Sequence, residues 1–433
     1  MTINVSRVVF PIRTQPACLL KWNWSTIYFQ SGTTASCHRT QKYSIDPDNF
    51  NDFHNLPDKV NARKLMLDGK WPGAGCQYCK TIEDAGGISD RIFQVQQLSD
   101  SQLVPPELYS DNTAVNISPT ILEVYFKNTC NMACVYCGPH FSSRWEDENR
   151  KYGSPHDESA DAFSITVNQQ NVHYKKMVND LWNFLKINNN AKKIQRYHIL
   201  GGEPFLLEEL DQSIAFWAQY GHPDLQFSIV SNLNIPHTLF QKYLKKFELL
   251  ADKKKIWRLQ LTASLDCWGD EQEYIRYGLD LGLWKKNFNL LLNKPWIYPS
   301  INSAISALSI KSLPQLVEQI NIWNLNQQDV VEEFRSYSNQ ILHSFNTTNA
   351  VDEVYIFSGD VFKKDFDAVI AAMPEETDTQ IGQKQMMAGM ASKSSQCKNN
   401  IEKIKNLKNY LTKLDQRRGT NWQITFPWLK KIN

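Results

Sequence analysis

The stretch ILEVYFKNTCNMACVYC, residues 121–137, decides how this chain is read. Its first part, Ile121 to Lys127, is short, apolar and rich in branched and aromatic side chains, which predicts a strand. Its second part spaces Cys130, Cys134 and Cys137 as CxxxCxxC. Three thiolates on one tight loop can hold three irons of a four-iron cluster and leave the fourth without a protein ligand, a position open to chemistry. The same spacing also fits a zinc site completed by a distant ligand such as His140.

Working outward, the chain from residue 121 alternates strand-like and helix-like segments. Tyr197 to Leu200, Leu225 to Val230, Trp257 to Leu265 and Ile301 to Leu308 read as further strands, and Val354 to Phe357 as a sixth. Between them, apolar residues recur at helical spacing: Tyr174, Met177, Val178, Leu181, Trp182 and Leu185, then Leu206 to Trp217, Leu239 to Phe247, Tyr274 to Leu291, and from Leu313 onward. Repeated strand–helix units imply parallel strands with right-handed crossovers. The expected class is α/β, a partial (βα)6 TIM-like barrel. Each unusual motif falls just past a strand end: the cysteine loop, GGEPF at 201–205, Ser231 with Asn232 and Asn234, and Ser264 with Asp266. Parallel α/β folds bind ligands at that end.

Residues 1–115 have a different texture, with turn formers and a second cysteine set, Cys18, Cys37, Cys76 and Cys79. Leu19 to Gln30 with Ser31 and Gly32 suggests a hairpin, and Asn61 to Leu67 a short helix. A small irregular unit of this kind is often tied together by metal, and four ligands would close such a site. The domain reading is therefore a metal-binding unit over 1–115, a barrel over 116–360 and a C-terminal extension over 361–433. Within that extension a mobile segment is expected from Met373 to Ser395, followed by a packing helix with Ile401, Ile404, Leu407, Leu411 and Leu414 on one side.

A net charge of +2 and dispersed Lys and Arg give no footprint for nucleic acid. The 42% apolar and 21% charged fractions are those of a globular protein, and no apolar run is long enough to span a bilayer. With no secretory leader pattern, the expected compartment is the cytoplasm, where clustered cysteines are metal ligands before they are disulfides. Cys267 and Cys397 stand apart as single thiols, and His198, inside a strand, reads as a satisfied core histidine.

CxxxCxxC after the first strand, with Tyr136 before the last cysteine and GGEPF after the second strand, resembles the radical S-adenosylmethionine (SAM) superfamily over roughly residues 118–325. Cys18 followed by Trp22, then Cys37 and the Gly75 to Cys79 pair, resembles the auxiliary-cluster modules called twitch or SPASM domains. The ending, Leu414, Asp415, Arg417, Arg418, Gly419, Asn421 and Trp422, also belongs to the resemblance, and that tail is expected to cap the barrel mouth. The resemblance implies that Cys130, Cys134 and Cys137 ligate a [4Fe-4S] cluster whose open iron binds S-adenosylmethionine. It places Gly201, Gly202, Glu203 and Pro204 at the methionine ammonium, and Tyr136, Ser231, Asn232, Asn234, Ser264, Asp266 and Arg276 at the remaining cofactor groups, with Ala304 to Ala307 as the adenine-side wall. Cys18, Cys37, Cys76 and Cys79 would hold a second, auxiliary [4Fe-4S] cluster, or a zinc ion in the same stapling role. The reductant implied is flavodoxin or ferredoxin, and the substrate a peptide, a protein or a small molecule.

Two other functions fit parts of the pattern. A non-catalytic electron-transfer or zinc-stabilised scaffold would need the cysteines but not the GGEP turn. A radical SAM methyltransferase or sulfur-inserting enzyme would need a reactive thiol at the site, for which Cys267 is the nearby candidate, or a sacrificial auxiliary cluster.

Overall fold

The computed structural model describes residues 16–84, 89, 91–92, 117–155, 172–327, 330–332, 335–337, 340–348 and 350–432. The strands are β1 Trp24–Tyr28, β2 Thr33–Ala35, β3 Tyr43–Ser44, β4 Ile121–Tyr125, β5 Arg196–Leu200, β6 Gln226–Ser231, β7 Arg258–Ser264, β8 Ile297–Ile305, β9 Val330–Glu332, β10 Arg335–Tyr337 and β11 Leu342–Thr347. Among the described residues, nine of them form one sheet in the order β11-β8-β7-β6-β5-β4-β1-β2-β3, and β9 pairs with β10. From β11 to β1 every pairing is parallel, while β1-β2 and β2-β3 are antiparallel. The architecture is thus a mixed, mostly parallel sheet flanked by helices.

Strand residues alternate between two faces, and the register makes each face a set of cross-strand rows. One face carries the row Leu122, Tyr197, Phe227, Leu259, Ile297 and the row Ile27, Val124, Ile199, Ile229, Leu261. All of these are fully buried, in one core cluster with Leu181 and Leu185 of helix Tyr174–Lys186, Leu210 and Trp217 of helix Glu208–Tyr220, and Phe240 and Phe247 of helix His237–Asp252. Each fully buried Leu, Ile or Phe contributes about 1.5–3 kcal/mol relative to exposure. The opposite face is more polar: Thr26, Glu123, His198, Ser228, Gln260 and Tyr298 form one row, and the row beneath it runs from the apolar Trp24 and Ile121 to Arg196, Gln226 and Arg258. Along β7 the pattern alternates strictly between buried and half-buried. On β1, β4 and β6 this face is buried too, at Thr26, Glu123, Gln226 and Ser228, and it is half-buried at Arg196, His198, Gln260 and Tyr298.

Several expectations are corrected. Val354–Ile356 is a turn of 3-10 helix, and the sixth strand along the chain from residue 121 in the sheet is instead β11, Leu342–Thr347. Its sequence LHSFNT buries only His343 and Phe345, too little to announce itself beside the longer apolar run at 354. The hairpin expected near Leu19 forms as β1 and β2, yet β1 also lies beside β4 as a seventh parallel strand, Trp24 opposite Ile121. The single helix expected over Tyr274–Leu291 is two, Asp270–Ile275 and Leu281–Phe288, because Gly278 takes φ +102° between them and Asp280 caps the second through its carboxylate on Leu283 N. Met373 to Ser395, expected to be mobile, contains the helix Asp378–Ser395. Its start is secured by a reciprocal box in which Thr377 accepts from Gln380 N and the Gln380 side chain accepts from Thr377 N.

In helix Ile401–Arg418 the buried side is Ile404, Leu407, Tyr410, Leu411 and Leu414, whereas Ile401 is exposed. No helix among the described residues is long and apolar enough to cross a membrane.

Candidate functional site

The loop after β4 is held at almost every backbone group. Ala133 N and Val135 N donate to Tyr277 O and Ile275 O, at 2.9 and 2.7 Å. Ser142 Oγ donates to Met132 O at 2.6 Å and caps helix Ser143–Tyr152, whose Trp145 Nε1 reaches Cys134 O at 2.8 Å. From the C-terminal helix, Tyr410 donates to Val135 O at 2.8 Å, and Arg418 pairs with Glu148 while lying over Trp145 and Tyr277. The tail therefore seats directly against the cysteine loop.

The three sulfurs on that loop act on one another electrostatically. Burial, reinforced by Cys134, pushes the Cys130 thiol up to about 12. Burial likewise raises Cys137, with Cys134 and Cys130 adding to it, and raises Cys134 against the opposing pull of Arg276. Among the described residues no three His, Cys, Asp or Glu side chains converge in an arrangement that could hold a metal ion. Neutral thiols have no reason to converge, because the thiolate, not the thiol, is the ligand. In donor type and number, three cysteines of one rigid loop fit a cluster with one iron left over. Two polar groups already face them: Asn232 Nδ2 lies 3.8 Å from Cys130 Sγ, and Arg276 Nη1 lies 4.0 Å from Cys134 Sγ.

The GGE turn after β5 is docked on this loop. Glu203 N donates to Thr129 O at 2.7 Å. Gly201 and Gly202 have φ of +88° and +39°, and a Cβ on Gly202 would stand 2.2 Å from Thr129 O. Glycine is required there because the turn and the cysteine loop meet backbone to backbone. The Glu203 side chain turns inward, fully buried, accepting from Asn232 N at 2.7 Å, Ser231 Oγ at 2.9 Å and Phe205 N at 3.2 Å. It ties the end of β5 to the end of β6.

Burial pushes the Glu203 carboxyl up to about 7 from its ordinary 4.5, against those three hydrogen bonds. Between these two values the folded protein keeps a proton that the unfolded chain releases, so this residue makes stability fall as pH rises from about 4.5 to 7, by on the order of 3 kcal/mol. Urea midpoints measured at pH 5, 6, 7 and 8 are expected to fall across this window in the parent protein and to flatten in Glu203→Gln. An equally steep fall in the variant would place the proton elsewhere.

The remaining sequence-flagged residues fall into two groups around the loop. Asn232 Nδ2 donates to Asn131 Oδ1, Asn131 Nδ2 to Asn234 O, and Asn234 Nδ2 to Gly278 O, at 2.8, 2.5 and 2.6 Å. On the other side Arg276 forks onto Asp266, Nε to Oδ2 at 2.9 Å and Nη2 to Oδ1 at 2.8 Å. The same carboxylate accepts from Tyr136 Oη at 2.7 Å and Ala304 N at 2.9 Å. Tyr136, Asp266 and Arg276 are thus one buried unit joining the cysteine loop to the ends of β7 and β8. Only Nη1 of the guanidinium remains turned toward the sulfurs. Pro204 is buried and begins the short 3-10 turn after Glu203, and the half-buried Ser264 ends β7. Cys267 is fully buried, its thiol raised well above the ordinary range by that burial.

The N-terminal cysteines are drawn together by close backbone contact. A Cβ on Gly75 would stand 2.6 Å from Arg39 O and 2.7 Å from Thr40 Cα, so helix Gly73–Asp84, carrying Cys76 and Cys79, lies against the chain after Cys37. Cys18 is raised to about 12 by burial and then by Cys37, while Cys76 is raised by burial, opposed by Lys21, with Cys37 and Cys79 adding. Cys18, Cys37 and Cys76 belong to one small apolar cluster with Trp22, Trp24 and Met66.

Sequence reasoning missed the polar face of the sheet. His198 is neither satisfied nor in the apolar core: its Nδ1 lies 3.3 Å from Glu123 Oε2, and its side chain keeps 18% exposure. Glu123 itself is fully buried, with Thr26 Oγ1 donating to Oε1 at 2.8 Å and His38 Nδ1 lying 3.6 Å from the same oxygen without a hydrogen bond. Tyr28 and Tyr125 stack above this row at 4.8 Å. The available signal was a polar residue at the same depth in six neighbouring strands, visible only once register is known.

Comparison with known proteins adds little. No protein-family model matches the chain, and no curated protein matches it. Among solved structures, "Structure of TYW1 with a lysine-pyruvate adduct bound" aligns at 14% identity and a TM-score of 0.22, covering 51% of this chain and 76% of that one. So loose a superposition bears on neither fold nor chemistry.

Proposed function

We propose that this chain is a radical S-adenosylmethionine enzyme, with Cys130, Cys134 and Cys137 holding a [4Fe-4S] cluster at the C-terminal edge of a partial (βα)6 barrel. When bound, the cluster supplies the electron that splits S-adenosylmethionine into methionine and a 5′-deoxyadenosyl radical, which takes hydrogen from substrate. The observation that carries this reading is the docking of the double-glycine turn on the cysteine loop through Glu203 N and Thr129 O at 2.7 Å. A cofactor held by both motifs needs them at one place.

The residues divide the work. Asn232 Nδ2 and Arg276 Nη1 face thiol sulfurs and favour their thiolate form. The carbonyls of the 201–203 turn meet an ammonium group, and Asn234 and Ser264 offer polar atoms beside it. Asp266 and Tyr136 hold Arg276 in place. Cys18, Cys37, Cys76 and Cys79 bind a second, auxiliary [4Fe-4S] cluster. Flavodoxin or ferredoxin is the reductant, the cytoplasm the compartment, and a peptide or protein the first substrate class to test. Complete burial of Cys267 weighs against a methyl-carrying thiol there.

Anaerobic reconstitution with iron and sulfide tests the proposal. The loaded protein is expected to convert S-adenosylmethionine slowly to 5′-deoxyadenosine under strong reductant, and Cys134→Ala to abolish that conversion while leaving the N-terminal metal in place. Zinc in the reconstituted protein, with no 5′-deoxyadenosine formed, would establish the scaffold reading instead.

A further inference from the structure

We propose that His198, backed by Glu123, accepts the proton from a hydroxyl or amine group of a substrate lying on the polar face of the sheet. This rests on the radical reading for the hydrogen abstraction itself and adds only a proton acceptor for a hydroxyl or amine beside the carbon that loses hydrogen; the proton transfer changes no oxidation state. The step is self-contained: the substrate O–H or N–H bond breaks, its proton bonds to Nε2 of a neutral imidazole, and the electron pair stays on the substrate heteroatom.

Position comes first. His198 lies three residues before Gly201 on β5, about 10 Å along the strand from the docked turn. Its row, Thr26, Glu123, His198, Ser228 and Gln260, is buried at Thr26, Glu123 and Ser228 and keeps partial exposure at His198 and Gln260. His38, on the far side of Glu123, adjoins Cys37 of the N-terminal set. The row therefore links the neighbour of Cys37 to the strand that leads into the double-glycine turn.

Chemistry comes second. Glu123 Oε2 lies 3.3 Å from His198 Nδ1 without forming a hydrogen bond, and the carboxylate charge beside Nδ1 favours a proton there and leaves the lone pair on Nε2. No described residue engages Nε2. A fully buried carboxylate behind a half-buried imidazole orients the ring and stabilises the imidazolium that forms. Burial pushes the Glu123 carboxyl up, but His38, His198 and Thr26 outweigh it, so the group stays below its ordinary range and is charged at neutral pH. The other ionisable groups that act on Glu123 are Arg196 beside it on β5, Tyr125 on β4 and Tyr28 on β1. A structural role is the plain alternative: His198 would then merely satisfy Glu123, with its second nitrogen closed off.

Two measurements on the protein as purified separate these roles, and neither needs a bound cluster, so they are read independently of 5′-deoxyadenosine formation. Diethyl pyrocarbonate acylates an accessible, unprotonated imidazole nitrogen, and peptide mass spectrometry is expected to find His198 modified. Nitrogen-15 spectra of histidine-labelled protein at pH 8, with the resonance assigned by loss in His198→Gln, are expected to show the Nδ1–H tautomer alone, and a mixture of tautomers in Glu123→Gln. An unmodified His198 in folded protein, or a parent imidazole carrying its proton on Nε2, would overturn the proposal without recourse to either variant.

Discussion

Replacing Gly202 with alanine is expected to uncouple the double-glycine turn from the cysteine loop and to remove nearly all 5′-deoxyadenosine formation. The new Cβ would meet Thr129 O at 2.2 Å and the Asn128 and Thr129 carbonyl carbons at 2.9 Å. These are backbone atoms on both sides of the contact, so no side chain can swing away. The residue also sits at φ +39°, which costs an L-residue about 1–2 kcal/mol by itself. Displacing Thr129 breaks its hydrogen bond from Glu203 N, and a shift of about 1 Å near reacting groups is enough to cost on the order of a hundredfold in rate. Gly153→Ala provides the comparison: φ is +77°, yet nothing lies within 4 Å of the added carbon. That variant is expected to lose about 1–3 kcal/mol of stability, because φ +77° with ψ 177° is a conformation that glycine alone adopts readily, and to keep its turnover. If Gly202→Ala retained parental turnover, the two motifs would not share a ligand.

Arg276→Met should produce the second large effect, on stability and on the sulfurs together. The guanidinium and Asp266 form a forked pair in which the carboxylate is fully buried. Removing one partner of such a pair costs about 3–5 kcal/mol, because the remaining charge is stranded away from water. Tyr136 and Ala304 N would still donate to Asp266 and soften the loss. Thermal melting is expected to fall by at least about 5 °C, and Asp266→Asn combined with Arg276→Met to recover part of it, since the two residues are in contact and their effects cannot add. The Arg276 charge is also the main pull against burial at the Cys134 thiol. Its loss should therefore raise that thiol further and weaken iron retention at neutral pH, read as fewer irons per chain after reconstitution. Equal iron content in parent and variant would confine Arg276 to a packing role.

Legibility followed physical range. The strands at 121, 197, 225 and 257 were readable because each buries branched or aromatic residues against a helix, and such patterning is local; the one expected over Ile301 to Leu308 forms earlier, as Ile297–Ile305. So were the CxxxCxxC spacing and the GGEPF turn, whose residues lie within a few positions of one another. Val354–Ile356 misled because a short apolar run has the same composition in a turn as in a strand. β11 was missed because its sequence alternates and only two of its side chains are buried. Asp266 was legible as a polar residue past a strand end and Arg276 through the resemblance alone, but not as partners of each other.

The amino-acid order alone established the alternating strand–helix plan and the cysteine motifs, because both rest on spacings of two to four residues. Only the tertiary structure decided that β1 joins the sheet beside β4, that Gly202 faces Thr129 rather than open space, and that Glu123, His198 and His38 meet on one face. Those contacts join residues dozens of positions apart, and strand register, which no local spacing encodes, determines which side chains share a row.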